Sequence, residues 1–146
     1  MVIKYDVYLS LAMHGRIGKE VLDQAEYAKM VCKKAGLTFY SPPDDENVDP
    51  NRIIDRKPSK RLMKGYIAKD DRAVDQCRVL LVLTGDRSSS GTAWEMARMH
   101  YKNRRPFVVV APKMYAGYLM NFTTIKATHI SPTIAHAIKY IKKELI

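Results

Sequence analysis

Continuous apolar runs alternate along this chain with stretches whose apolar residues recur every three or four positions. The runs fall at residues 2–10, 37–41, 78–84, 106–111 and 127–131. Short runs with few polar breaks predict strands covered on both faces, as in a parallel sheet. Between the first two runs, Val21, Leu22, Ala25, Ala28, Val31 and Cys32 keep helical spacing over residues 19–35, and Gly36 stands where a helix commonly ends. Residues 61–76 predict a second helix with Leu62, Ile67, Ala68 and Val74 inward, and a third runs from the Ser88–Gly91 turn to about Asn103. In a last helix Pro132 takes the first helical position, and Ile134, Ala135, Ile138, Ile141 and Leu145 form the inner stripe. Two stretches resist assignment. Residues 44–60 are polar, carry Pro50 and Pro58 and lack periodicity, so they predict a long functional or mobile excursion, such as a lid. Residues 112–122 mix Tyr115, Tyr118, Leu119, Met120, Asn121 and Phe122, a composition suited to lining a pocket or joining a neighbouring molecule.

Strands alternating with helices predict an α/β fold: a single-domain, flavodoxin- or Rossmann-like parallel five-stranded sheet with helices on both faces, spanning residues 1–146. In such sheets ligands bind beyond the C-terminal ends of the strands. That rule brings together the loop of residues 10–18, the excursion, the Ser88–Gly91 turn and the segment 112–122.

At 146 residues the chain is long enough to bury a core, and it contains no run of about 18 apolar residues of the kind that spans a membrane. Its first residues are too short and too charged a stretch for a signal sequence, so a cytoplasmic protein without membrane association is expected. Cys32 and Cys77 stand apart with no Cys/His cluster, which argues for buried thiols and against a disulfide framework or a metal site; no cofactor is expected. The net charge of +10 is spread over at least three segments, and the usual nucleic-acid motifs are missing. A solvated basic surface that concentrates an anionic small molecule therefore fits better than a nucleic-acid partner.

The chemistry gathers where the third run meets its helix. Arg78–Thr84 is followed by a short turn and then Ser88-Ser89-Ser90-Gly91-Thr92-Ala93-Trp94-Glu95, a small-residue loop opening a helix, which presents backbone N–H groups to an anion. Thr92 and Glu95 share a helix face, so a ligand on the loop would lie beside the carboxylate. The competing account of Glu95 is a capping box, with Thr92 or a nearby serine as the cap. After the first strand, Ser10, His14, Gly15 and Arg16 form a second candidate anion-binding turn. Asp70 and Asp71 fall on the second helix, one toward the core-facing side and one outward; solvated helix acids are the alternative.

Tyr8 at the end of the first strand, Asp70 eight residues before Arg78, and the turn Gly91-Thr92-Ala93-Trp94-Glu95 resemble the nucleoside 2-deoxyribosyltransferase family and its 2′-deoxynucleoside 5′-monophosphate N-glycosidase relatives. The resemblance runs from Tyr8 to about Phe122. It departs from the pattern in a shorter, less glycine-rich first loop and in Arg78, where an acidic residue is common. It implies Glu95 as nucleophile, Asp70 as the acid that holds the base or sugar and aids proton delivery, with Asp71 as its competitor, and Tyr8 as the group orienting Glu95. Ser10, His14, Gly15, Arg16, Ser89, Gly91 and Thr92 would hold the substrate or its phosphate, with Asn121 close to a partner's site in a homodimer or higher homo-oligomer. Transferases carry Asp six positions before the nucleophile, whereas the monophosphate hydrolases resemble this chain in having serine there, Ser89. The expected reaction is hydrolysis of the N-glycosidic bond of a (deoxy)nucleoside 5′-monophosphate. Base exchange on a nucleoside is the alternative. A phosphoribohydrolase-like relative, or a non-catalytic nucleotide-sensing or nucleic-acid-binding module, would keep the fold with other uses.

Overall fold

Each apolar run becomes a strand of one sheet. The computed structural model describes residues 2–44, 46–54, 59–84, 90–112 and 121–146, with Asn121 and Phe122 as backbone only. Its strands are β1 (Tyr5–Leu11), β2 (Phe39–Tyr40), β3 (Cys77–Leu83), β4 (Phe107–Val110) and β5 (His129–Ser131), in the order β2-β1-β3-β4-β5. Every neighbouring pair is parallel. The helices are α1 (Gly18–Lys34), α2 (Lys60–Asp75), α3 (Ser90–Ala97), α4 (Asn121–Lys126) and α5 (Ile134–Tyr140). α3 runs on through a π-helical turn at Arg98–Lys102, and α5 through one at Ile141–Leu145.

The two-residue period of the strands sorts their side chains into two layers. Val7, Leu9 and Leu11 of β1 join Val79, Leu81 and Leu83 of β3 beneath α1 and α5, where Val21, Ala25, Ala28, Ala137, Ile138 and Ile141 meet them. On the other face Tyr8, Leu80, Val82, Phe107 and Val109 pack against Ala73 and Val74 of α2 and against Met96 and Met99. Burial of a side chain of this size stabilises by roughly 1.5–3 kcal/mol, so these two layers supply most of the favourable term. Both thiols lie inside them: Cys32 and Cys77 are fully buried, and burial pushes each up to about 12.

Four expectations are corrected. Cys77 is the first residue of β3 and pairs with Tyr5, so the strand begins before the turn expected there. Along α2, Leu62 and Ile67 are half exposed and Ala68 is exposed, while Ala73 and Val74 carry the core contact. The buried residues of that helix, Ala73, Val74 and Asp75, all fall in its last turn. Pro132 lies outside the last helix, because Thr133 is the cap, its side chain accepting from the His136 N–H. With the start displaced, Ala137 takes the inward place expected of Ala135, which is exposed.

The strand order reverses direction of growth between β1 and β3, so the loops leaving their C-terminal ends part and open a crevice. From the polar excursion, Glu46 reaches the wall of this crevice. Residues 49–54 cross the start of α1, where Gly18 N–H donates to the Arg52 carbonyl (2.8 Å) and Lys19 N–H to the Pro50 carbonyl (3.0 Å). Ile17 and Ile53 form an antiparallel bridge beside them. A Cβ at Gly18 would stand 2.0 Å from the Asp49 carbonyl oxygen, so only glycine permits this crossing.

Candidate active site

Tyr8 and Ser10 lie two apart on β1 and therefore point to the same face, toward the first turns of α3. There they meet Glu95: the Tyr8 hydroxyl donates to Oε2, and Ser10 Oγ donates to Oε1 over 2.7 Å. Thr92, one turn before Glu95, puts its Oγ1 3.3 Å from Ser10 Oγ. α3 already begins at Ser90, so Thr92 is not its cap, and the Glu95 carboxylate is turned to the strand; the capping-box account does not describe it.

Tyr8 is fully buried and stacks on Tyr40 of β2, with ring centroids 5.4 Å apart. Burial, then the charges of Glu95 and Asp70, raise its pKa well above the usual phenol value, so the hydroxyl stays protonated and serves as a donor. Burial likewise pushes Glu95 up, to about 7, against the lowering effect of the bonds from Tyr8 and Ser10 and with further upward pushes from Asp71 and Glu46. A carboxyl near 7 changes charge around neutral pH, a property shared by many catalytic carboxyls.

Above Glu95 opens a cavity of about 1010 Å³, at the upper end of the roughly 300–1,000 Å³ common for small-molecule sites. Its wall includes His14, Glu46, Asp70, Asp71, Gly91, Thr92 and Trp94. Met63, Tyr66, Ile67, Asp70 and Asp71 of α2 also line it; their i, i+3, i+4, i+7 spacing is one helix face. Ile67, half exposed, is turned to this cavity, whereas Leu62 is not among the residues that line it. The periodicity was visible in sequence, but an apolar stripe facing a cavity has the same spacing as one facing a core. Glu46 had no such signal, since it comes from the excursion.

Asp70 and Asp71 are distinguished by their surroundings. Asp71 accepts the Trp94 indole N–H on one oxygen (2.8 Å) and has Arg98 at 3.6 Å from the other. With both oxygens engaged, Asp71 is poorly suited to shuttling a proton; both acids line the cavity, and the charge of Asp70 also acts on Tyr8.

The first-loop residues separate. His14 lines the cavity. Gly15 N–H donates to the Ile54 carbonyl, and the Arg16 guanidinium donates to the Ala12 carbonyl (2.8 Å) and to Gln24 (2.9 Å). Gly15, at φ +81°, and Arg16 thus hold the excursion and α1 in place. The expected phosphate contact from Ser89 and the side-chain contact from Asn121 lie outside the described residues, as does the 113–120 stretch expected to reach a partner. Among the described residues no group of three or more His, Cys, Asp or Glu is arranged to hold a metal ion, and no helix is long and apolar enough to cross a membrane.

The arrangement presents a half-buried carboxylate, oriented by two hydroxyl donors, at the floor of a cleft with other acids along its wall. Such a group can stabilise or trap an electron-deficient carbon. No protein-family model and no curated protein matches the chain. Among solved structures, a 2-deoxyribosyltransferase from the psychrotolerant bacterium Bacillus psychrosaccharolyticus, described as a biocatalyst for synthesis of antiviral and antitumoral nucleosides, shares the fold. The likeness has a TM-score of 0.69 at 19% identity and covers 92% of this chain and 91% of that one.

Proposed function

We propose that the protein cleaves the N-glycosidic bond of a nucleoside or nucleoside 5′-monophosphate through a glycosyl ester on Glu95. The observation that carries the reading is the Glu95 carboxylate, held by Tyr8 and Ser10 beneath the cavity. A Glu95 oxygen attacks C1′ as the C1′–N bond breaks; the bonding pair leaves with the base nitrogen, which gains a proton with help from Asp70. Attack on the ester by a second base gives a new nucleoside, and attack by water gives the free sugar.

Among the described lining residues, the acids Glu46, Asp70, Asp71 and Glu95 stand against the single imidazole of His14, which suits a neutral nucleoside. Together with the fold shared with a 2-deoxyribosyltransferase, this favours exchange between bases. Hydrolysis of a 5′-monophosphate is the second reading. It rests on Ser89, an uncharged donor where an Asp would repel a dianion, and on the net charge of +10.

Incubation with nucleosides and 5′-monophosphates, with and without a second base, followed by chromatography tests both. Formation of a new nucleoside from an added base is the expected result. Release of free base from monophosphates alone, lost in Ser89→Asp, assigns hydrolysis instead. No bond cleavage in any arm overturns both.

The protonation of Glu95 adds a pH test. Attack requires the carboxylate, so kcat/KM should rise with pH through about 7. The Tyr8 and Ser10 bonds favour the ionised form; Tyr8→Phe and Ser10→Ala should therefore move that inflection to higher pH as well as slow the reaction. An unchanged inflection in both variants would remove these residues from the account.

A further inference from the structure

Trp94 directly precedes Glu95, and about 100° of helical turn separates their side chains. Glu95 is directed at β1, whereas Trp94 faces α2, lining the cavity while remaining 54% exposed. Its only polar group, the indole N–H, is engaged by Asp71. Behind Asp71 stands Arg98, one turn after Trp94, held bidentately by Asp75 through Nε and one Nη at 2.8 Å each. Lys102 (2.8 Å) and Asn103 (3.0 Å) complete that carboxylate's partners. A chain of charged contacts thus runs from a buried cluster to the indole and fixes the ring's orientation. What remains to the cavity is a flat apolar face beside the carboxylate.

We infer that Trp94 is the stacking platform for the base of the substrate and that Asp71 is the positioning residue that holds its ring in place. The inference deepens the glycosidic reading and rests on it for the identity of the ligand. A planar heteroaromatic ring is the ligand group whose face matches an indole with no donor left to offer, and stacking tolerates any base. The sugar, rich in hydroxyls, belongs with Glu95 and Asp70. Trp94 therefore sets affinity for the base with little demand on its identity.

Trp94 is the only tryptophan in the chain, so protein emission reports on it directly. Glu95→Gln, which blocks turnover, is titrated with a purine nucleoside, a pyrimidine nucleoside and 2-deoxyribose 5-phosphate, with calorimetry in parallel. Both nucleosides should quench the emission to saturation and the baseless sugar phosphate should leave it unchanged. In the same background Trp94→Ala should weaken nucleoside binding on the order of tenfold to a hundredfold, while Trp94→Phe retains most of the affinity. Asp71→Asn with Glu95 intact should raise KM with a smaller effect on kcat and shift the emission maximum. Nucleoside binding by calorimetry without an emission change, or wild-type affinity in Trp94→Ala, overturns the inference and leaves the glycosidic reading standing. Emission that responds to protein dilution and not to nucleoside also overturns it, because a second copy would then cover the ring. Saturable quenching in a protein that releases no base supports the stacking platform and counts against the catalytic reading.

Discussion

Glu95→Gln is expected to lower base release on the order of a thousandfold or more and, at the same time, to stabilise the fold above neutral pH. The first effect follows from removing the only group proposed to attack C1′, since Tyr8 and Ser10 act through it. The second follows from the same burial that tunes the carboxyl. Its value moves from 4.5 to about 7 on folding, so the folded state binds the proton more tightly than the unfolded chain. Below pH 4.5 both states are protonated and Glu95 carries no penalty. As pH rises through about 7 the stability is lost, reaching at most about 3 kcal/mol at 1.36 kcal/mol per unit. Glutamine, neutral throughout, should unfold at a higher temperature than the native protein at pH 8 and at nearly the same temperature near pH 4.5. Base release at the native rate would end the nucleophile assignment. A variant that loses activity and stability together would make Glu95 a structural residue.

The largest loss of stability should come from Asp75→Ala. Asp75 is 4% exposed at the end of α2 and takes bonds from Arg98, Lys102 and Asn103. Arg105 donates to the carbonyls of Asp75 and Cys77 close by. Removing one partner of a buried ion pair costs about 3–5 kcal/mol; here Arg98 would keep only its 3.6 Å contact with Asp71. For a chain of this size that lowers the melting temperature by about 10 °C or more. Replacing Arg98 by Met in the same protein should recover part of the loss. Burial would raise the Asp75 carboxyl, but its donors, Arg98 first, outweigh this and hold it well below the usual carboxylate range. Its contribution is accordingly present above the unfolded value of about 3.9 and is lost as pH falls further toward the folded value. The gap between native and variant stability should stay constant from about pH 5 to 8 and narrow only in strong acid. A melting temperature within 2 or 3 °C of native, by roughly the same scaling, would show that the cluster is solvated.

What the sequence could reveal was governed by range. β3 and β4 were legible because Val79–Leu83 and Phe107–Val110 meet apolar layers on both faces, which leaves no polar position to blur the run. The meeting of Tyr8, Glu95 and Asp70 was anticipated from strand-end logic and a family resemblance; the part of Ser10, as second donor to Glu95, was not. A serine after an apolar run reads as a loop donor, and only β1's alternation beside Tyr8 turns it to the carboxylate. Asp75 was missed for a different reason. Alone in sequence it is one more helix acid, and its partners lie 23 to 28 residues away. The spacing of Arg98 and Lys102, one helical turn apart, was the only local sign of a shared target.

The crossing of residues 49–54 over the start of α1 makes helix and loop a single cooperative unit. Two of the amides that a helix start normally offers to water or a cap are protected here by carbonyls from another segment. Hydrogen exchange at Gly18 and Lys19 therefore measures how often that segment lifts, independently of the helix's own fraying. Segment 49–54 and the first turn of α1 share one opening free energy, so lifting the segment also loosens the layer of Val21 and Ala25 beneath that helix.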